Sequence, residues 1–195
     1  MINSCLRYFC RRTFKLEKMK IKELENADIL KMKHDAAKNF FTGSIIFRYD
    51  EESKKIFFLV LNYRRDGVGP LQIKFPGGCS QNGETPHETL IREMQTESGL
   101  VPAKDSAEII NHQSLAPRAL GDPEHHKIFF LVRRYTGILK TVTGSDAGEA
   151  SAPYWEEADA LSKTIFKGHR PAFKRVIELL MHKKEYALSL MHVRV

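Results

Sequence analysis

Between Leu71 and Leu100 the chain runs from an apolar alternation through two adjacent glycines and a polar loop into a segment with helix period. That succession constrains its local structure more than any other stretch. Leu71, Ile73 and Phe75 alternate and are stopped by Pro76-Gly77-Gly78, which predicts a strand running into a tight loop. Thr85 followed by Pro86 and, three residues on, Glu88 predicts a capping box with proline in the first helical turn. The helix then extends to Ser98, and Gly99 is placed to end it in a left-handed conformation. Leu90, Ile91, Met94 and Leu100 supply the apolar side that holds it on a sheet. Glu93 and Glu97 lie four apart, hence on one face, separated by about 6 Å of axial rise. Two carboxylates so placed repel each other in a bare helix. A hard divalent cation such as Mg2+ removes that penalty and takes carboxylates, waters and phosphates together.

The same residues, written Gly78-x5-Glu84-x7-Arg92-Glu93-Met94-Gln95-Thr96-Glu97-Ser98-Gly99-Leu100, resemble the Nudix box, G-x5-E-x7-R-E-U-x-E-E-x-G-U with U apolar. Every defined position matches except Thr96, which stands where the first glutamate of the E-E pair is expected. Six such positions, each at roughly one in fifteen usage, coincide by chance on the order of once in ten million starts, so composition does not account for the pattern. The resemblance implies a loop-helix-loop that binds Mg2+ or Mn2+ and a pyrophosphate. It makes Glu93 and Glu97 metal ligands, with Glu93 the base in some members, and adds the backbone carbonyl of Gly77. It pairs Arg92 with Glu84, although Glu88 at i−4 is an alternative partner on spacing. Thr96 removes one carboxylate, which implies fewer or weaker metals. Glu149, in Glu149-Ala-Ser-Ala-Pro-Tyr-Trp155, resembles the acidic loop that supplies a further carboxylate, with Asp146, Glu156 and Glu157 as competitors. The chemistry implied is hydrolysis of a phosphoanhydride, catalysed by Glu93, Glu97, Arg92, Glu84 and Glu149.

At 195 residues and 42% hydrophobic, the chain can build a full core. Residues 40–195 are expected to form the Nudix-like domain and residues 1–39 a basic extension. The segments 41–48 and 55–62 read as paired strands joined by a turn at Asp50-Glu51-Glu52-Ser53, with further strands at Ile109-Ile110 and at 127–133. The last of these is apolar enough to be buried on both faces. Pro171 opens a closing helix whose apolar side is Phe173, Val176, Ile177 and Leu180. This mixed order predicts an α/β fold, an α/β/α sandwich around a mixed β-sheet.

The net charge of +7 favours an anionic ligand, a nucleotide or another diphosphate-containing small molecule, and admits RNA. Lys74, Gly78 and Arg118 are the expected substrate contacts, with Arg133 and Arg134 as further basic candidates. His125-His126 reads as a polar loop, and Trp155 as packing. No run approaches the eighteen or so apolar residues of a membrane span. Cys5, Cys10 and Cys79 form no disulfide or zinc pattern, so a reducing, cytoplasmic setting is expected. Arg7, Arg11, Arg12 and Lys15, interleaved with apolar residues before the first acid at Glu17, resemble a mitochondrial transit peptide and make the matrix the alternative. Two functions remain open on these grounds. One is a metal-dependent hydrolase of a nucleoside diphosphate linked to another group. The other is a nucleotide- or RNA-binding or regulatory module with a reduced metal site.

Overall fold

Strand β8 (Glu124–Val132) organises the molecule, because its apolar run buries alternate side chains on opposite faces. Ile128, Phe130 and Val132 enter one core cluster, and Phe129 and Leu131 the other, all at most 3% exposed. Each such side chain contributes about 1.5–3 kcal/mol of burial. A strand buried on both sides must be covered twice. Helix α2 (Pro86–Ser98) lays Leu90 and Met94 into the first cluster, while helix α4 (Arg170–His182) lays Phe173, Val176 and Leu180 into the second. The computed structural model describes residues 26–64, 69–117, 119, 121–141 and 151–182.

The sheet between these helices is mixed. Strand β1 (Lys38–Ile45) runs parallel to β8 and antiparallel to the short β5 (Gly77–Cys79), and β7 (Ala107–Leu115) is antiparallel to β8 on its other side. The fold is therefore α/β, with helices on both faces of a mixed sheet, as expected from the sequence. A second, antiparallel sheet centres on β3 (Lys55–Arg64), flanked by β2 (Phe47–Asp50), β10 (Tyr154–Glu157) and β4 (Leu71–Lys74). Strands β6 (Leu100–Pro102) and β9 (Tyr135–Gly137) form a small separate ladder, and α3 (Ala158–Thr164) follows β10.

One strand pairing differs from the sequence expectation. The segment 41–48 is not a single strand on 55–62. It breaks at Ile46, and only β2 pairs with β3. Ile45 and Ile46 face opposite core clusters, so the side-chain alternation continues through the break and only the backbone partner changes: Ile45 is in register with Leu131 of β8, whereas the Ile46 carbonyl accepts from the Leu59 N–H of β3. The turn at Asp50 forms, its carboxylate accepting from the backbone N–H groups of Glu52 and Ser53.

Helix α1 (Asn26–Lys31) docks on the domain through Ile29, 1% exposed, in the same cluster as Leu90 and Met94. His34 ties the following turn to the loop before α2, its Nδ1 lying 2.8 Å from Ser80 Oγ and its backbone N–H donating to the Glu84 carbonyl. Of the described residues, no helix is long and apolar enough to cross a membrane. Cys5, Cys10 and the basic segment before Glu17 lie outside the described residues.

His169, 4% exposed, is packed among the rings of Phe41, Phe75 and Phe129, and its Nδ1 accepts the Phe75 N–H at 3.1 Å. Burial depresses its pKa from 6.5 to about 3, with the Lys74 and Lys127 charges acting in the same direction. A histidine kept neutral in the fold contributes stability above its unfolded pKa, and that stability is lost as pH falls from 6.5 towards 3. The unfolding free energy from denaturant melts is expected to drop between pH 7.5 and 5, by at most about 1.4 kcal/mol per pH unit from this group. His169→Gln should remove that part of the slope, and an unchanged slope would assign the loss to other groups.

Candidate active site

The site is assembled where β4 turns through Phe75 and Pro76 into β5, against the inner face of α2. The helix starts as its sequence dictates. Thr85 is the N-cap, its side chain accepting from the Glu88 N–H, while the Glu88 carboxylate accepts from the Thr85 N–H at 2.8 Å. Gly99 ends it at φ 76°, its N–H bonded to the Gln95 carbonyl.

With Glu88 committed to the cap, Arg92 pairs with Glu84. Its Nε and Nη2 donate to the two Glu84 oxygens at 2.6 and 2.9 Å, and Nη2 also reaches the Cys79 carbonyl at 2.9 Å. The Glu84 carboxylate further accepts from Thr89 Oγ1 at 2.7 Å and from the Gln81 N–H at 2.8 Å. These bonds, led by those from Arg92, hold Glu84 down to about 2 from 4.5, whereas Arg92 is raised. The stability this lends is present above pH 4.5 and is lost as pH falls through 2. Arg92 Nη1 also donates to Glu93 Oε1, so one guanidinium ties the loop to the first expected metal ligand.

Glu93 and Glu97 are 5% and 2% exposed, and they meet consecutive glycines. A Cβ on Gly78 would lie 2.5 Å from the Glu93 carboxyl carbon, so glycine there lets that carboxylate rest against the backbone. Glu97 Oε2 accepts the Gly77 N–H at 2.5 Å, and its Oε1 accepts from Lys74 Nζ at 2.7 Å. Burial pushes Glu97 up to about 7, against the opposing pull of Lys74 and the Gly77 N–H. Lys74 Nζ also donates to the Gly77 carbonyl at 3.1 Å and lies 4.8 Å from the centre of the Tyr63 ring.

The structure thus brings together Lys74, Gly77, Gly78, Glu84, Arg92, Glu93 and Glu97. Thr96 is half-buried, and its carbonyl accepts from the Lys140 ammonium, a contact that sequence spacing did not reveal. Glu149, Asp146 and Arg118 lie outside the described residues. Glu157 instead pairs with Lys55 at 2.8 Å at the edge of the second sheet, and Arg133 pairs with Glu108. Trp155 packs beside the first core cluster under the Arg48 guanidinium. His125 and His126 are strand residues rather than a loop. His126 is buried and its Nδ1 lies 3.0 Å from Nε2 of His112 on β7. Partial burial, then the Glu93 carboxylate, raises the Cys79 thiol, which suits a bystander.

A residue missed at the sequence level is Lys127, in cross-strand register with Phe41 and through it with Cys79. Its charge acts on both Cys79 and His169, and its ammonium would lie 3.2 Å from a Cβ on Gly168. A lysine heading an otherwise apolar strand was the only available signal.

A family model, the NUDIX domain, matches residues 40–176. The chain belongs to the Nudix family. No curated protein matches it in sequence. Among solved structures, the MutT NUDIX hydrolase of Burkholderia pseudomallei is similar at TM-score 0.53 and 17% identity, over 71% of this chain and 97% of that one. The NUDIX domain of Shewanella oneidensis NrtR, crystallised with ADP-ribose, is similar at TM-score 0.55 and 13% identity, over 80% and 99%. The MutT protein of Bacillus halodurans aligns at 0.52 and 21%, over 71% and 81%. At these identities the likeness is one of fold.

The Arg92–Glu84 pair makes a testable claim about this Nudix loop. Arg92→Ala is expected to lower turnover by about 10- to 100-fold, as the loss of an orienting partner does. It should cost only about 1 kcal/mol of stability, because Glu84 keeps Thr89 and the Gln81 N–H. Arg92→Lys should rescue poorly, since an ammonium cannot span both carboxylate oxygens. A matched loss of stability and turnover in Arg92→Ala would make the residue merely structural.

Proposed function

We propose that this Nudix protein is a pyrophosphohydrolase that uses Mg2+ or Mn2+ to cleave a nucleoside diphosphate linked to another group. The observation that carries this reading is the pair of buried carboxylates, Glu93 and Glu97, laid against Gly78 and Gly77. Such a set suits a hard cation in kind, because every donor is oxygen: two carboxylates and the Gly77 carbonyl. Among the described residues no group of three or more acidic, histidine or cysteine side chains could hold a metal ion, and on this reading the Gly77 carbonyl is a further donor. When bound, the metal would neutralise the pyrophosphate oxygens and make a bound water a better nucleophile.

The protein side of the reaction follows from the contacts. Glu93 accepts the proton of the attacking water at a carboxylate oxygen as the new phosphorus–oxygen bond forms and the anhydride bond breaks. Arg92 holds that carboxylate in place through Nη1 while its other nitrogens grip Glu84. Gly78 admits the Glu93 carboxylate close to the backbone, and the Lys74 and Lys127 charges lie near the loop. Arg118 and Glu149 remain proposals for substrate contact and for a further carboxylate.

Thr96 and the engagement of Glu97 by Lys74 favour a second reading, a nucleotide- or RNA-binding module whose metal site is reduced. The discriminating experiment is a panel of nucleotide sugars, dinucleoside polyphosphates, nucleoside triphosphates and capped RNA, each with Mg2+ or Mn2+. Metal-dependent release of a nucleoside phosphate supports the enzyme. Saturable binding of a panel member with no product at any metal concentration supports the module.

A further inference from the structure

Lys74 closes β4 with its side chain only 11% exposed, and its ammonium contacts the very groups expected to receive a metal. It donates to Glu97 Oε1 at 2.7 Å and to the Gly77 carbonyl at 3.1 Å, with the Tyr63 ring beneath it. The other Glu97 oxygen takes the Gly77 N–H. An ammonium reaches its acceptors through hydrogen bonds of nearly 3 Å, whereas Mg2+ sits about 2.0–2.1 Å from its oxygens. An ammonium on these oxygens takes lone pairs that a metal would use, and its positive charge repels a divalent ion.

We propose that Lys74 is an internal cation that occupies the Glu97–Gly77 donor pair in the nucleotide-free protein and competes with divalent metal for it. The proposal rests on reading Glu93, Glu97 and Gly77 as the metal donors. It adds that the weak point of this site is not only the carboxylate missing at Thr96 but a lysine already seated between two of the remaining donors. The charge count at the centre accords with this. Glu84 and Glu93 share Arg92, and Glu97 has Lys74, so each carboxylate expected to receive the ion already faces a cation. Metal occupancy is then expected to displace the ammonium through charge repulsion. A lysine is able to leave, since its charge rides on a flexible four-carbon stem rather than a rigid fork. Substrate phosphate offers the displaced ammonium a new partner, so metal and diphosphate are expected to bind together rather than in turn.

The test reads metal binding alone. Mn2+ is titrated into nucleotide-free wild type, Lys74→Met and Lys74→Met/Glu97→Gln, with free Mn2+ followed by electron paramagnetic resonance and heats by calorimetry. Methionine fills the volume of the stem without the charge. The single variant is expected to bind Mn2+ at least about tenfold more tightly than wild type, because removing a cation raises the negative charge available to the ion. The double variant is expected to lose that gain. Equal or weaker affinity in Lys74→Met, with circular dichroism unchanged, overturns the proposal, as does a gain that persists without the Glu97 carboxylate. Should Lys74→Met fail to fold, Lys74→Gln takes its place, because it removes the charge while keeping a polar side chain in the same space. Turnover is not measured, so the titration decides the role of Lys74 even if the protein hydrolyses nothing on the panel.

Discussion

Glu93→Gln is expected to lower kcat by about 10²- to 10⁴-fold, the range a positioned general base contributes. The amide is isosteric with the carboxylate, so the helix, the Gly78 approach and the Arg92 contact all survive in shape. What is lost is a negative charge and a proton acceptor. Stability should change little, because Arg92 keeps its two bonds to Glu84. The measurement is kcat on the best substrate of the panel, beside a thermal melt. A variant that retains more than a tenth of wild-type turnover would remove Glu93 from the chemistry and shift attention to Glu97 or Glu149.

Gly77→Ala should instead strike the fold. Its Cβ would lie 2.1 Å from the Thr42 carbonyl oxygen and 2.6 Å from the Gly43 Cα, and the residue holds φ at +151°. Both obstacles are backbone of β1, paired in register with β5, so neither can swing aside. A destabilisation of about 3 kcal/mol is expected, from strained backbone plus a broken ladder. For a domain of this size that is a fall in Tm of roughly 6–12 °C. Gly78→Ala makes the informative contrast. Its Cβ would meet the end of the Glu93 side chain, which can rotate, so turnover should suffer more than stability. A Gly77→Ala protein within about 1 kcal/mol of wild type in denaturant unfolding would mean that β1 and β5 separate easily.

These contrasts depend on tertiary neighbours, and they mark where the sequence was legible. Helix α2 could be read from end to end because its signals are local. Thr85, Pro86 and Glu88 fix its start, Gly99 its end, and the apolar period its buried side. The double burial of β8 was equally readable, since an unbroken apolar run can face water on neither side. The break at Ile46 was not. Two consecutive isoleucines look the same whether a strand continues or crosses between sheets, and only the backbone partners decide it, β8 for Ile45 and β3 for Ile46.

At the site the same division holds. The sequence by itself determined that Glu93 and Glu97 share a helix face after a glycine loop, because helical spacing and glycine chemistry act over a few residues. It left the partner of Arg92 open, since Glu84 and Glu88 are both within reach on spacing. The choice of Glu84 came from the capping box, which occupies Glu88, and from the loop that brings Thr89 and Gln81 to the same carboxylate. Lys74 read only as a basic residue before a loop. Its seat between Glu97 and the Gly77 carbonyl was decided by tertiary structure alone, because β4 pairs with β3 and then turns sharply back under α2. Ion pairs across 23 residues of chain have no sequence period, and only packing determines which charges share a buried space.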